Sequence, residues 1–502
     1  MRVGIYDRYW STLGGGERYA STLAEALKDH ADVDLIGIEP MDLSVLTRRL
    51  DVDLTGVRYV RWAPLACASL VPLTRPYDLF VNATYGSSMR SQAGRSAYLV
   101  MFPHELRSRP FASLQRAIRS TARTLAPWQM RFIGGHYDPE PGGLCWTGPD
   151  AWLLLGPRAF RDGAATIPLR TTPIKPRVLE VTGPIASWSL GPSGLTVRVD
   201  RHPTRPIEIH IRSEGVVPRD AGIGDDDRLL GICVDLGGKR GPLARLGRNA
   251  GLTKSGRDFL DDYDTLLAIS EYTQEWTRRR WGSESVLAPP PVDTERFGSA
   301  PAAKKRVLLS VGRFFAASHH SKKHIEMLGA FREMCDQGLV PAGWEFHLAG
   351  RVHRETPQHV AYFEEVKRLA KGYPIRILED IPYDDLAKEY REAAIFWHAT
   401  GWGEDDDLYP ERFEHFGITT CEAMSAGCIP VVIDKAGQRE IVTDGVNGYT
   451  FLTSRELIDK TASLMAGFGS NRTADLTRAA FESAARYGKQ TFIDRIRRVL
   501  LP

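Results

Sequence analysis

Among the acids of the stretch ERFEHFGITTCEAMSAGCIP (411–430), Glu414 and Glu422 have seven residues between them. A turn of Gly and Thr separates the first from a helix of small residues. Thr419 and Thr420 can cap that helix, which the pattern places from about 419 to 427. Its N-terminus offers backbone N–H groups and the positive end of the dipole, a combination that suits a phosphate. Glu422, about one turn in, can accept both hydroxyls of a ribose. Glu414, before the turn, would meet whatever the phosphate carries. The interval fits a nucleotide sugar, with ribose, diphosphate and a second sugar in line. The two acids could equally be solvated groups beside a helix start, and spacing alone leaves both readings open.

A second grouping is SVGRFF followed by HHSKKHIEMLGAF. Arg313 ends a strand, while Lys322 and Lys323 open a helix. Cations meeting there could hold a departing diphosphate, whose charge grows in the transition state. A third is LGGGERYA (13–20), where three glycines between strand and helix allow close approach of a ligand to backbone. It lacks the GxGxxG spacing of a dinucleotide site, and a plain tight turn is the other reading.

The elements that must carry these residues follow an α/β pattern. VGIYD is a strand, STLGGGE a turn, and Ala20, Leu23, Ala24 and Leu27 recur at helical spacing. YDLFVNATYG and SAYLVMFPHE read as further buried strands. From 135 to 240 the pattern changes to alternating segments punctuated by Gly and Pro, which predicts an all-β insertion, a small sandwich. The α/β pattern returns with YDTLLAISEYTQEWTRRRWG, and APPPVDTERF (288–297) is the best boundary. Strands RVLLSVGRF, EFHLAG, IRILED, IFWHAT and IPVVID follow, with helices at 323–337 and 358–371. The chain ends on a helix with Phe492, Ile493, Ile496, Val499 and Leu500 on one face.

A length of 502 residues implies at least two domains. A net charge of +3 gives no domain-wide basic excess and argues against a nucleic-acid partner. Cys67, Cys145, Cys233, Cys335, Cys421 and Cys428 form no CxxC pair and read as reduced thiols of a cytoplasmic protein. The start lacks a signal-peptide pattern, and no run reaches the roughly 18 apolar residues of a membrane span.

Taken together, GGGERYA, VGRFF with KKHIEMLGAF, and above all EHFGITTCEAMSAGCIPVVIDKAGQREIVTDGVNGYTF resemble the family 4 glycosyltransferases of the GT-B fold. The resemblance covers both α/β regions and not the β insertion. It implies two Rossmann-like domains facing a cleft. Residues 1–134 and 241–290 would form the N-terminal acceptor domain around an insertion at 135–240. Residues 291–480 would bind the donor, and 481–502 would be a helix crossing back. It further implies a retaining transfer of a hexose from a UDP- or GDP-sugar to a glycan or lipid-linked acceptor, with no cofactor and no essential metal.

Carried over by position, Arg313 and Lys322 would contact the diphosphate, with Lys323 the alternative if the register is offset by one. Glu414 would bind the transferred sugar and steady charge at its anomeric carbon. Backbone of Phe416, Gly417, Ile418 and Thr419 would touch sugar and phosphate, and Glu422 would take the ribose. Gly15 and Gly16 would border the donor phosphates or the acceptor. Two departures stand out. Met101 occupies the place of a frequent His, leaving His104 as a candidate sugar or acceptor contact, and Ala436 stands where a second glycine is frequent.

Residues 106–137 hold Arg107, Arg109, Arg116, Arg119, Arg123 and Arg131 and no acid. Arg116, Arg119 and Arg123 share a helical face, followed by Trp128, Met130, Phe132 and Ile133. This basic and aromatic stretch is a candidate for an anionic membrane surface on the cytoplasmic side, or else a solvated helix. The acidic runs GEDDDL (403–408) and GDDDR (224–228) read as solvated loops rather than metal sites. A paired-carboxylate glycosidase would leave Arg313 and Lys322 unused. A non-catalytic glycan- or nucleotide-binding protein on the same scaffold, and a nucleotide-sugar epimerase, are the rival functions. The β insertion could recognise acceptor or build a homo-oligomer.

Overall fold

Continuous apolar runs become parallel strands, because a parallel sheet covered by helices on both faces buries every side chain along a strand. The computed structural model describes all residues except 64–66, 107–129, 138–139, 141–143, 171, 173–175, 224–225, 227, 236–258, 299–302, 317–320 and 355, and omits the side chains of Cys67, Ala68 and Arg131. Arg107, Arg109, Arg116, Arg119, Arg123, Trp128, Asp225 and Asp227 thus lie outside the described residues. Packing divides the chain into two compact units. One is Met1–Leu99 with His104–Leu266, the other Val100–Pro103 with Leu267–Pro502.

In the first unit β1 (Arg2–Tyr6), β2 (Asp32–Gly37), β3 (Arg58–Arg61), β4 (Leu79–Asn82) and β5 (Arg95–Val100) run parallel in the order β5-β4-β1-β2-β3. The helix Gly15–Leu27 makes the first crossover and buries Tyr19, Ala20, Leu23, Ala24 and Leu27. Strands β6 (Met130–His136), β7 (Leu144–Leu155), β8 (Ala164–Ile167), β9 (Val178–Thr182), β10 (Ser187–Gly191), β11 (Gly194–Arg198), β12 (Ile207–Ser213) and β13 (Cys233–Asp235) then form two antiparallel sheets. These are β13-β7-β12-β9, with β6 on β7, and β10-β11-β8. Leu153, Ile167, Val181, Leu195, Ile209 and Val234 fill one core between them. The foot of this sandwich also joins the Rossmann sheet. Tyr137, Trp146, Leu230 and Cys233 share a cluster with Tyr6, Trp62 and Phe80, where Tyr6 and Trp62 stack at 5.3 Å.

Strand β14 (Thr265–Ala268) spans the division, and β15 (Val286–Leu287) pairs with it. The second unit's main sheet contains β16 (Lys305–Val311), β17 (Glu345–Gly350), β18 (Ile375–Glu379), β19 (Ala393–His398), β20 (Ile429–Ile433) and β21 (Tyr449–Phe451). All are parallel, in the order β18-β17-β16-β19-β20-β21. Phe331, Phe346, Trp397 and Leu457 pack one core, and Leu309, Tyr390, Phe396 and Ala423 another. The chain steps outward from β16 to β18, then returns to β19 on the other side of β16. A ligand crevice is expected outside the carboxyl ends of the strands at such a reversal. The terminal helix Lys489–Leu500 buries Phe492, Ile493, Ile496 and Leu500. Cys145, Cys233, Cys421 and Cys428 are buried free thiols, and Cys335 is a half-buried one.

One buried group of the first unit makes stability depend on pH. Asp7, just past β1, is 1% exposed; Oδ1 accepts from the Tyr9 N–H at 3.0 Å, and Oδ2 has no partner among the described residues. Burial, then the charge of Glu17, pushes its carboxyl up to about 7. A raised carboxyl favours folding when protonated, so this contribution is complete at low pH and is lost as pH rises through 7. Asp7→Asn keeps the acceptor for Tyr9 and cannot ionise. Its stability gain over wild type should be larger at pH 8 than at pH 5.5 by about 2 kcal/mol, from roughly 1.5 pH units at 1.4 kcal/mol each. Urea unfolding at the two pH values measures this, and an equal gain at both contradicts it.

Candidate active site

At the reversal point of the second sheet, strand ends bring charged groups together. A Cβ on Gly350 would lie 1.9 Å from the Gly312 carbonyl oxygen, so the ends of β16 and β17 are in direct backbone contact. Gly312 also seats the stem of Lys322, whose Cγ would be 2.7 Å from a Cβ there. Lys322 is thereby held beside the strand end that carries Arg313. The Arg313 guanidinium lies over the Phe315 ring at 5.2 Å.

Lys322 Nζ reaches Glu414 Oε2 at 2.5 Å, with the two side chains 19% and 22% exposed. His398, the last residue of β19 and 2% exposed, meets the same Oε2 through Nε2 at 3.0 Å. Burial alone would push the Glu414 carboxyl up, but Lys322 and His398 together outweigh it and hold it well below the usual value. Burial keeps His398 neutral, lowering its pKa against the pull of Glu414. Buried His324, at the start of the helix His324–Asp336, is pushed down to about 3 by burial and then by Lys322, so Lys322 is the cation of this corner. The neighbouring Lys323 points elsewhere. Its Nζ contacts Glu404 at 2.7 Å, and Arg412 binds the other oxygen of Glu404 at 2.9 Å. The two lysines are thus told apart by partner. Glu404 is a half-buried staple rather than a solvated loop acid, because two cations clamp it. Asp406 and Asp407 of the same run pair with Lys435 and Arg279.

Downstream of Glu414 the sequence reading of the helix start needs correction. The helix is Ile418–Ser425, capped by Gly417 at φ 122° and ψ 56°, and no side chain caps it. Thr419 and Thr420 lie inside the first turn, and the Thr420 hydroxyl donates to Gln438 Oε1 at 2.8 Å instead. Only glycine suits that φ, and a Cβ there would fall 2.2 Å from Gln438 Nε2. The Gly437 N–H donates to the Glu414 carbonyl at 3.0 Å, which ties the Glu414 backbone to the following segment. Phe416 is buried. Glu422, 6% exposed, accepts the Tyr390 O–H at 3.0 Å.

The segment VMFPHE divides. Phe102 stacks on His415, the residue after Glu414, at 4.1 Å, and Arg280 lies over Phe102 while bonding the Pro103 carbonyl at 2.9 Å. His104 belongs to the first unit, where its ring stacks on Phe259 at 5.8 Å. Gly15 and Gly16 also lie in the first unit, in the first turn of their helix, whose Glu17 accepts the Gly14 N–H at 2.6 Å. The structure therefore joins Lys322 to Glu414, which precedes the turn 416–419, places Arg313 next in sequence to the Gly312 that seats the Lys322 stem, and sets Glu422 one helical turn further on. His398, Tyr390 and Phe102 were missed, and Glu404 was read as a solvated acid. Only His398 left a sequence signal, as a polar residue ending a buried parallel strand. A separate cavity of about 720 Å³, lined by Trp344, Ile395, Leu464, Phe468 and Phe481, contains none of these groups.

Residues 291–482 match the family model of glycosyl transferases group 1. The chain is 26% identical over 236 residues to a GDP-Man:Man(3)GlcNAc(2)-PP-Dol alpha-1,2-mannosyltransferase of Caenorhabditis elegans, covering 43% of this chain and 47% of that protein. It is 27% identical over 216 residues to the lipopolysaccharide core biosynthesis mannosyltransferase LpsB of Rhizobium meliloti (strain 1021), covering 42% and 57%. The chain thus spans about half the length of the curated relatives it matches. Among solved structures, Anabaena Alr3699/HepE in complex with UDP-glucose aligns at TM-score 0.54 and 11% identity, covering 100% of this chain and 99% of that one. A glycosyltransferase from Rickettsia africae ESF-5 aligns at TM-score 0.53 and 10% identity, covering 100% and 98%. Residues 291–482 are thus similar to the group 1 glycosyl transferases, on a chain with the GT-B fold.

Proposed function

We propose that the chain is a retaining hexosyltransferase that uses a nucleoside-diphosphate sugar and delivers the hexose to a glycan or lipid-linked acceptor. The observation that carries this reading is the Lys322–Glu414–His398 grouping at the strand reversal, next to the glycine-capped helix start. Arg313 and Lys322 would take the diphosphate, Glu422 the ribose, and the backbone of Phe416, Gly417, Ile418 and Thr419 the sugar and phosphate. As the bond from the anomeric carbon to the diphosphate breaks, the leaving group keeps the electron pair and the cations stabilise it. Glu414 stays ionised through the neutral range and faces the positive charge left on the sugar.

The mannosyltransferase name of the C. elegans relative makes GDP-mannose the first donor to try, and the UDP-glucose complex of HepE makes UDP-glucose the second. The wider reading keeps Gly15 and Gly16 bordering the donor phosphates or the acceptor, His104 as a sugar or acceptor contact, and Arg116, Arg119 and Arg123 against an anionic membrane. It also keeps the return of 481–502 to the N-terminal domain, a cytoplasmic or inner-face location, and no metal. No helix among the described residues is long and apolar enough to cross a membrane.

The test combines thermal shift with donor consumption. Saturating donor should raise Tm, since a ligand that binds only the folded chain stabilises it. Glu422→Ala should weaken nucleotide binding by about 10- to 100-fold, the worth of a charged hydrogen bond. Glu422→Gln keeps an acceptor for Tyr390 and separates ribose binding from packing. Binding without donor consumption would favour the non-catalytic alternative, and no binding of any nucleotide sugar would remove both.

A further inference from the structure

We propose that His398 is a positioning residue for Glu414: its buried imidazole holds one carboxylate oxygen so that the other stays directed at the donor sugar. The inference rests on the glycosyl-donor reading of Glu414. Both partners of the Glu414 carboxylate converge on Oε2, Lys322 at 2.5 Å and His398 at 3.0 Å, and Oε1 accepts no hydrogen bond among the described residues. The two partners differ in permanence. Lys322 is the cation that a bound diphosphate would compete for, and when it turns to that ligand its hold on Glu414 weakens. His398 is fixed at the end of a strand whose residues are all buried, so it is the hold that persists through the reaction.

The proton inventory agrees. Nδ1 of His398 is buried with no hydrogen-bond partner among the described residues, so protonating it would place an unpaired donor beside Lys322. The ring proton therefore sits on Nε2 and is donated to Glu414. Thr400 Oγ1, at 3.5 Å from the same nitrogen, is a weaker competitor.

The test uses the full chain with its donor. His398→Phe should lower kcat by about 10- to 100-fold, the value of one hydrogen bond to a charged group, with donor KM and nucleoside-diphosphate affinity changed less than about threefold. The acid limb of kcat should also move toward neutral pH, since Glu414 loses a group that lowers its pKa. His398→Gln, which can present an amide N–H near the Nε2 position, should recover most of the loss, whereas His398→Asn is too short and should not. A His398→Phe protein with wild-type kcat, an equal loss of donor binding and turnover, or a glutamine variant no better than asparagine overturns the assignment. If His398→Phe does not fold, the glutamine and asparagine pair decides. Glu414→Ala is measured alongside: full activity there would mean that the donor-site reading had failed, apart from anything about His398.

Discussion

Glu414→Ala should lose sugar transfer by a factor of about 100 to 1,000, the range found when a preorganised charge-stabilising group is removed, while still binding nucleoside diphosphate. The two effects separate because of how Glu414 is held. Its carboxylate and the ammonium of Lys322 form one ion pair at 2.5 Å. In the wild type a diphosphate must compete with Glu414 for Lys322. Without Glu414 that competition disappears, so free nucleotide should bind as tightly as before or more tightly. On the proposed reading the sugar meanwhile loses the anion that faces its anomeric carbon. A residue needed only to keep the loop folded would lower nucleotide affinity and rate together. Titration of GDP or UDP by calorimetry, with initial rates of donor turnover on the same sample, distinguishes these patterns. Transfer within a fewfold of wild type would remove Glu414 from the chemistry.

Much of the second unit was legible because its strands are fully buried. AIFWH and IPVVI have no polar face to confuse the pattern, and β19 and β20 stand where those runs predict. In the sandwich, β12 was readable from the alternation of Ile209 and Ile211 with His210 and Arg212. Strand β10 was not, because SWSLG is exposed along nearly its whole length and carries no inward-facing set. The same physics explains the site. Lys322 and Glu414 lie in the motifs that carry the family resemblance. The sequence partner of His398 is 16 residues away across a loop, so nothing local marks the pair. Tyr390 reads as one more apolar position on an amphipathic helix, and its O–H acquires meaning only when Glu422 is found opposite. The threonine cap failed because Gly417 adopts a positive φ that lets the helix begin one residue earlier.

Gly437→Ala should be among the most damaging changes outside the charged groups, although Gly437 touches no proposed ligand. A Cβ at that position would lie 2.5 Å from the His415 carbonyl oxygen and 2.6 Å from both the Phe416 Cα and carbonyl oxygen. All three are backbone atoms of the turn that follows Glu414, so no side-chain rotation relieves the overlap. The short helix Ala436–Ile441 and the turn must separate, and the Gly437 N–H bond to the Glu414 carbonyl is lost with them. Overpacking of this kind costs about 1–3 kcal/mol, and the displaced turn should lower donor affinity and transfer at least about tenfold even with Glu414, Lys322 and Arg313 intact. The adjacent position supplies the control. Ala436 has φ 50°, a conformation that suits glycine and strains alanine, which accounts for the glycine that the resemblance leads one to expect there. Ala436→Gly should therefore fold normally and keep its donor affinity, the relief of strain being partly offset by the greater freedom of the unfolded chain. Urea unfolding and donor titration of the two variants measure the contrast directly. If Gly437→Ala matches wild type in both, the turn carrying Glu414 is not held by this contact, and the geometry of the site must be fixed from another side.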